Sequence, residues 1–507
     1  MQRATSLEPI LNLVKRRGIF FNSAEIYNGA GGLFDMGPLG VEISNNIKRA
    51  WLRRFVYGRD DMLGLDAAIL TPAAVLEASG HVDSFSDPLI ECKESHIRLR
   101  SDHFLEEDDV HIWMERWITE SEKQRGIKQK SGGLVPSKDD EQAALLAAQE
   151  LYDFSDPSRV HLKPGASYED LVCPHPDVRK KTFTAPKQFN MMFSTNLGPV
   201  ADSGSTVYLR PETAPGIFTN FKNVLGTYHK KVPFGIAQVG KAFRNEITTG
   251  NSLFRVREME QLEIEFFVRP SEDAEWFEKW LTEVDTFLTQ DLGIRSENLR
   301  RYEHRPEKLS HYSKRTVDFE YNYPFGGWSE VWGIANRTDF DLRSHMEASQ
   351  KDMTYFDEET REKFLPFVIE PSVGLGRLFL MLLVDSYAEY PQGRDSQGSE
   401  LETVLHLPKT IAPIAVAVLP LMKKDGLSEK AREIHSIVRK IMPDRLTVYE
   451  DSGAIGRRYR KQDEVGTPYC ITIDYQTLED GTVTVRDRDT MGQQRVAIDA
   501  LASVITF

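Results

Sequence analysis

The sequence predicts an α+β protein: a mixed, mainly antiparallel sheet flanked by helices, followed by a separate C-terminal α/β unit. Two observations predict it. Between residues 183 and 385, apolar strand-like runs dominate, among them STVYLRP, FGIAQVGKAF, LEIEFFV and FVIEPSVG, and the segment joining KAFRNE to FRVREMEQLEIEFF is too short for a parallel crossover. Beyond about 405, PIAVAVLPL, a helix, LTVYED, another helix, CITIDY and TVTVRDRD alternate in the α/β manner.

Taken in order, Ser6 before LEPILNLVKRR reads as an N-cap opening an amphipathic helix, with Leu7, Ile10, Leu11 and Val14 on one stripe. GGLFDMGPLG at 31–40 is a turn-rich loop that leads into VEISNNIKRAWLRRFV, where Val41, Ile47, Trp51 and Phe55 recur at helical spacing. AAILTP is a short strand ending at Pro72. From 101 to 182 the composition turns charged and partly helical, as in EQAALLAAQELYDF, and shows no catalytic pattern. AEYPQGRDSQGSELETV at 388–404 is a polar linker. The expected organisation is one domain from 1–100 and 183–400, interrupted by the 101–182 insertion, and a second domain from 405–507.

Composition restricts the function classes. A chain of 507 residues buries a sizeable core without disulfides, and its formal net charge of −14 means that any nucleic acid must be met by a local basic surface. The three cysteines, Cys92, Cys173 and Cys470, are far apart and odd in number, which fits a reducing compartment. MQRATSLEPILNLVKRRG lacks the apolar core of a signal peptide, and the most apolar run, at 411–422, is too short to span a bilayer. A cytoplasmic enzyme with no membrane partner is expected.

The charged residues point to one chemistry. In FRNEITTGNSLFRVREMEQLEIEFF, a strand is expected to carry Arg244 and Glu246, and a return strand Arg255, Arg257, Glu263 and Glu265; side chains two apart on a strand share a face. Such a face presents arginines to phosphates and carboxylates to amines. Alone, the pattern reads more readily as a solvated hairpin with cross-strand ion pairs. Two other stretches tip the balance. VYLRPETAPGIFTNFK places Glu212 beside Arg210 at a helix start. FVIEPSVGLGRLFLMLL places Glu370 and Ser372 at the end of a strand and Arg377 at the start of an apolar helix, a favourable phosphate site.

GPLG…P, FRNE…FRVRE and EPSVGLGR resemble the three motifs of class II aminoacyl-tRNA synthetases. RPETA, FRVREMEQLEIEFF, GWSEVWGIANRTDFDL and YEDSGAIGRRYRKQDEVGTPYC resemble the homodimeric, glycine-charging branch, over residues 8–100 and 183–507. The resemblance implies a class II catalytic core with a C-terminal anticodon-binding domain, and ligation of glycine to tRNA(Gly) through a glycyl-adenylate, with MgATP as the energy source. It implies a homodimer, with GPLGVEISNNIKRAW and the strand to Pro72 at the interface.

The resemblance also implies residue roles. Arg244 and Arg377 are the catalytic phosphate clamp. Asn245, Glu246, Arg255, Val256, Met259, Glu330 and Val331 contact ATP, with Glu330 a candidate for the magnesium shell. Arg100, Glu212, Glu263, Glu370, Pro371 and Ser372 form the glycine pocket. Arg457, Arg458, Tyr459 and Arg460 in IGRRYRKQ are the anticodon contacts, although a charged helix face reads the same way. Glycine has no side chain to grip, so its ammonium must be held by carboxylates and larger amino acids kept out by a wall at the α-carbon.

Four departures from the family pattern stand out: Pro215 replaces a polar residue in RPETA-Q-G, Met259 stands where an adenine-stacking Phe is usual, Gly376 where many members carry an acid, and the zinc-knuckle cysteine pairs are reduced to Cys92 and Cys173, with Ser95 and Pro176 in the other positions. Even with His175 this set falls short of four zinc ligands, so no structural zinc is expected. The alternatives are a synthetase for proline, threonine or histidine, which an acid-rich pocket disfavours, and a catalytically inactive, synthetase-like nucleic-acid-binding protein.

Overall fold

The computed structural model describes residues 1–107, 109–124, 138–156, 160–199, 205–247, 249–310, 312–394 and 400–507. Helix α1 (Glu8–Arg17) buries Ile10, Leu13 and Val14. Its N-cap is Leu7, with no side-chain cap, so Ser6 does not open it; Pro9 in the first turn and Gly18 in the left-handed region at its end bound it instead. Helix α2 (Pro38–Leu52) starts on a proline and buries Ile43, Ile47 and Trp51, a stripe that Phe55 extends. Val41 is 42% exposed, because two residues before Ile43 lies on the far side of a 3.6-residue helix.

After the short strand β1 (Met62–Gly64), helices α3 (Val110–Gln124) and α4 (Lys138–Leu151) pack Trp113, Trp117, Ala144, Ala147 and Leu151 into an apolar cluster of their own. Ile90, Cys92, Leu99 and Phe183 belong to the same cluster, so its core reaches upstream of residue 101.

The elements that position the site follow: α5 (Ala214–Tyr228), β2 (Phe234–Phe243), β3 (Glu258–Val268), α6 (Asp273–Thr286), β4 (Leu299–Glu303), β5 (Arg315–Tyr323), β6 (Gly327–Thr338), α7 (Phe340–Ser349), β7 (Phe367–Gly374) and α8 (Leu375–Ser386). The strands form one sheet of order β4-β5-β6-β7-β3-β2-β1, antiparallel except for the β1/β2 pair. This is the mixed, mainly antiparallel sheet that the sequence predicts. On one face Leu262, Ile264 and Phe266 of β3 are fully buried in a core shared with Trp51 of α2, Trp280 of α6 and Leu378 of α8. Each such side chain contributes about 1.5–3 kcal/mol of burial free energy, which lets the opposite face of the same strand carry charge.

Beyond the linker, strands β8 (Val416–Pro420), β9 (Thr447–Tyr449), β10 (Tyr469–Ile473), β11 (Thr482–Asp487) and β12 (Gln493–Ala497) form a second sheet of order β9-β8-β10-β11-β12, with helices α9 (Leu427–Ile441) and α10 (Ile455–Glu464). Its first three strands are parallel and its last two antiparallel, so the expected α/β unit is present with an antiparallel edge. Asn46 of α2 donates to the carbonyls of Ile411 and Ala412 at 3.2 and 3.0 Å, and Arg17 donates to Glu464 at 2.6 Å, so the unit is docked against the first one. Among the described residues no helix is long and apolar enough to cross a membrane.

Candidate active site

The polar face of the sheet is set by strand alternation. Met259, Gln261, Glu263 and Glu265 share one face of β3; Ala242, Gly240, Gln238 and Ile236 stand opposite them on β2, and Gly374 and Ser372 stand opposite Gln261 and Glu263 on β7. The same register brings Glu370 level with Glu265. On β6 the ladder to β5 shifts at Phe319/Glu320, so Glu330 pairs with Glu320 and takes the site face, while Val331 turns into the core at 1% exposure. Glu330 and Val331 are therefore neighbours in the chain whose side chains leave the strand in opposite directions.

The carboxylates converge at the closed end. Glu263 accepts from Ser372 Oγ at 2.6 Å and from Thr213, and Glu370 accepts from Arg337 Nη1 at 2.9 Å. Arg337 is itself buried and forked onto Asp341, at 2.7 and 2.9 Å. Burial, then the Glu212 charge, raise Glu263 above the usual carboxylate range, and burial moves Glu370 up to about 8 despite Arg337. Burial pushes Glu212 up too, but His81, 3.1 Å away, with Arg337 and Arg244, outweighs that and holds it down at about 2. Pro371 lies buried between Glu370 and Ser372. Glu212, Glu263, Glu370 and Ser372 are thus brought together, and Arg337, to which sequence reasoning gave no role, joins them. Its position four residues before Asp341 was the available signal.

The arginines occupy the open end. Arg244, Asn245, Glu246 and Arg255 do not lie on strands as expected, because β2 ends at Phe243 and β3 begins at Glu258. Residues 244–247 and 249–257 lie outside the two strands instead, tied by Arg244 N to Arg257 O at 2.9 Å and Asn245 N to Met191 O at 2.7 Å. Released from the ladder, the arginines turn along the rim of the face. Arg244 donates to Pro211 O at 3.0 Å and lies 3.9 Å from Glu212; Arg255 donates to buried Glu246 at 2.8 Å. Arg377, in the first turn of α8, pairs with Glu330 at 2.9 Å and lies over the Phe254 ring at 4.7 Å. Their side chains keep 29%, 32% and 28% exposure respectively, so each guanidinium has a free flank for a polyanion. Val256 and Met259 are half-buried along the same rim.

Arg377 draws Glu330 below the usual carboxylate range; burial, then Glu330, push Asp318 up to about 6, against its 2.7 Å contact with His304. Asp318 stands opposite Gly333, which puts it on the same face as Glu330.

Three expectations fare differently. Arg100 pairs with Asp87 at 2.7 Å and with Asp102, and the charge of Glu246 also acts on it. Arg458 is buried and donates to the carbonyls of Gly453, Leu421, Glu450 and Pro420; Tyr459 bonds Thr472 beneath Arg486. Only Arg457 and part of Arg460 face outward, because a helix lying on a sheet turns every third or fourth side chain inward. Pro215 lies in the first turn of α5, where no backbone donor is needed.

Residues 195–387 match the tRNA synthetase class II core domain (G, H, P, S and T), and residues 415–506 match the anticodon binding domain. The chain is 46% identical over 501 residues to the glycine–tRNA ligase of Thermobifida fusca, covering 98% of this chain and 96% of that one. It is equally 46% identical to those of Streptomyces coelicolor, over 98% and 97% of the two chains, and of Clostridium kluyveri, over 99% and 98%. The chain belongs to the glycine–tRNA ligase family. Within this class II family's core, the β2–β3 connection supplies Arg244 and Arg255, and the β7–α8 corner supplies Glu370, Ser372 and Arg377.

Proposed function

We propose that the protein ligates glycine to tRNA(Gly) in two steps at this face. In the first, the glycine carboxylate attacks the α-phosphorus of ATP, forming glycyl-adenylate and releasing pyrophosphate. In the second, a terminal ribose hydroxyl of the tRNA attacks the glycyl carbonyl and adenylate leaves. The observation that carries the reading is the 3.9 Å approach of Arg244 to Glu212, which joins the phosphate-binding rim to the carboxylate cluster. An amino acid whose ammonium lies among the acids has its carboxylate beside Arg244, where charge develops at phosphorus.

No protein nucleophile is required. Arg244 holds the α-phosphate and Arg255 and Arg377 the outer ones, while Met259 packs on the purine. Glu212, Glu263, Glu370 and Ser372 take the ammonium side. Arg337, locked by Asp341 and Glu370, narrows the space at the α-carbon against a methyl group. Glu330 and Asp318 offer the hard carboxylate oxygens that suit Mg2+, and magnesium bound with ATP supplies neutralisation of phosphate charge. The inactive-relative alternative is not favoured, since every arginine of the clamp retains an open flank.

Arg244→Ala is expected to reduce glycine-dependent pyrophosphate exchange by about 10²–10³-fold while leaving the circular dichroism spectrum and melting unchanged; near-normal exchange refutes the assignment. We further infer a homodimer, supported by the exposed Val41, Tyr57, Ile69 and Leu70 on and after α2, and sedimentation at monomer mass at micromolar concentration would exclude it. A structural zinc is not inferred: Cys92 and Cys173 meet over Ser95, whose backbone N–H donates to one sulfur and whose hydroxyl contacts the other, both at 3.4 Å, and His175 Nδ1 accepts from Asp177 N. Stoichiometric zinc in the purified protein would overturn this. Arg457 and the outward part of Arg460 are the candidates of the IGRRYRKQ stretch for tRNA, and the three free thiols support a cytoplasmic setting.

A further inference from the structure

Glu265 on β3 is fully buried, and both of its carboxylate oxygens lack a hydrogen-bond partner. The groups facing it are Glu263 on its own strand, Glu370 on β7, Arg337 at the end of β6 and Asp341 on α7. Further out stand Glu212 with His81 and Arg244, His345 of α7, and Tyr312. Arg337 is engaged by Asp341 and Glu370, and Glu212 by His81. The acids therefore outnumber the cations that face them. A buried carboxylate in such a place needs either a proton or an incoming positive charge.

The spacing says which charge fits. One oxygen each from Glu263, Glu265 and Glu370 lie within 4.8 Å of one another, so a point between them is no more than about 2.8 Å from all three, the length of a charge-assisted N–H···O bond. A primary ammonium has three N–H donors and no acceptor, and matches this triangle donor for donor.

The geometry points to Glu265 as the carboxylate that takes the third ammonium donor beside Glu263 and Glu370, with Glu212, engaged by His81, contributing its charge alone: it holds a proton while the pocket is empty and loses it to solvent when a primary ammonium enters. The step balances, since the neutral acid becomes a carboxylate, the ammonium keeps its three protons and one proton leaves. This rests on the reading that Glu263 and Glu370 hold the glycine ammonium, and it adds a residue to which that reading gave no task. Burial, then the Glu370 charge, push the Glu265 carboxyl well above its ordinary value, in keeping with a proton held at neutral pH. Binding must remove that proton, so glycine affinity rises as pH rises and falls as pH falls.

The test is calorimetric titration of the full-length protein with glycine in two buffers of different ionisation heat, together with the pH profile of KM for glycine in pyrophosphate exchange. The wild type is expected to release protons on binding. Glu265→Gln, which copies the neutral acid, is expected to release about one proton fewer per glycine, to raise KM on the order of tenfold, and to flatten its pH dependence. Glu265→Asp keeps the ionisable group at a shorter reach, so it should weaken binding yet retain proton release; it is also the variant to read if the Gln form does not fold. Wild-type KM and wild-type proton release in both variants overturn the proposal. Glu370→Gln separates the two readings: if it weakens glycine binding while Glu265→Gln does not, Glu265 alone is misassigned, and if neither weakens it, the glycine site itself is elsewhere.

Discussion

With Nε and Nη2 on Asp341 and Nη1 on Glu370, the Arg337 guanidinium has committed its donor fork, and it lies 3.9 Å above the Tyr312 ring. All three charged partners are buried, so their desolvation is offset only by one another. Arg337→Ala is therefore expected to lower unfolding free energy by about 3–5 kcal/mol in urea titration, because Asp341 and Glu370 are left buried without a counter-charge. Arg337→Lys should recover only part of that, since a point charge cannot bridge two carboxylates as a planar fork does. At this scale the sequence was legible where periodicity acts: Glu263 and Glu265 were placed on one face by counting in twos. It was silent where the partner is distant in the chain, as Glu370 is for Arg337, and on the inward turn of Arg458. Helix periodicity allowed that turn, but only the sheet beneath α10 decided which arginine took it.

The connection between β2 and β3 shows why element boundaries are harder to read than element types. Both strands are legible from their apolar runs, but charge next to an apolar run reads as a continuation of the ladder, whereas Arg244 and Arg255 lie outside it and reach the rim. The loop is held from below by α8, and closely: a Cβ on Gly376 would lie 2.8 Å from the carbonyl oxygen of Leu253. That oxygen is backbone and cannot swing aside. Gly376→Ala should push the first turn of α8 away from the 252–254 turn, and with it Arg377, which rests on Phe254 and donates to its carbonyl at 3.4 Å. The expected result is a loss of about 1–3 kcal/mol of stability and a rise of several-fold in KM for ATP, with KM for glycine changed less. An equal rise for both substrates would mean that α8 moves the carboxylate end as well, and that the loop does not act as a separate nucleotide arm.

For the molecule as a whole, the stretch at 388–404 reads as a polar linker, yet its two ends pair as antiparallel strands, Tyr387–Tyr390 with Glu402–Leu405, and Arg394 proves to be structural. Arg394, with 6% of its side chain exposed, donates to Glu402 at 3.1 Å, to the Arg488 carbonyl at 2.7 Å and to Asp463 of α10. Asp463 also receives both arms of Arg486, each at 2.9 Å. One buried carboxylate thus holds a linker arginine and an arginine of the second sheet, and no local pattern could reveal a meeting of residues 394, 463 and 486. Asp463→Ala leaves Arg486 buried without its anion and Arg394 with Glu402 alone, a cost of about 3–5 kcal/mol that falls on the junction between the sheets and spares the carboxylate cluster. The expected signature in calorimetry is a lower first melting transition that separates from the second. Function should divide in the same way: adenylate formation needs only the first sheet, so pyrophosphate exchange persists, while tRNA charging, which needs both units held in one orientation, declines. A variant that melts in one transition and loses both activities together would show that α10 supports the catalytic sheet directly through its contact with Arg17 of α1.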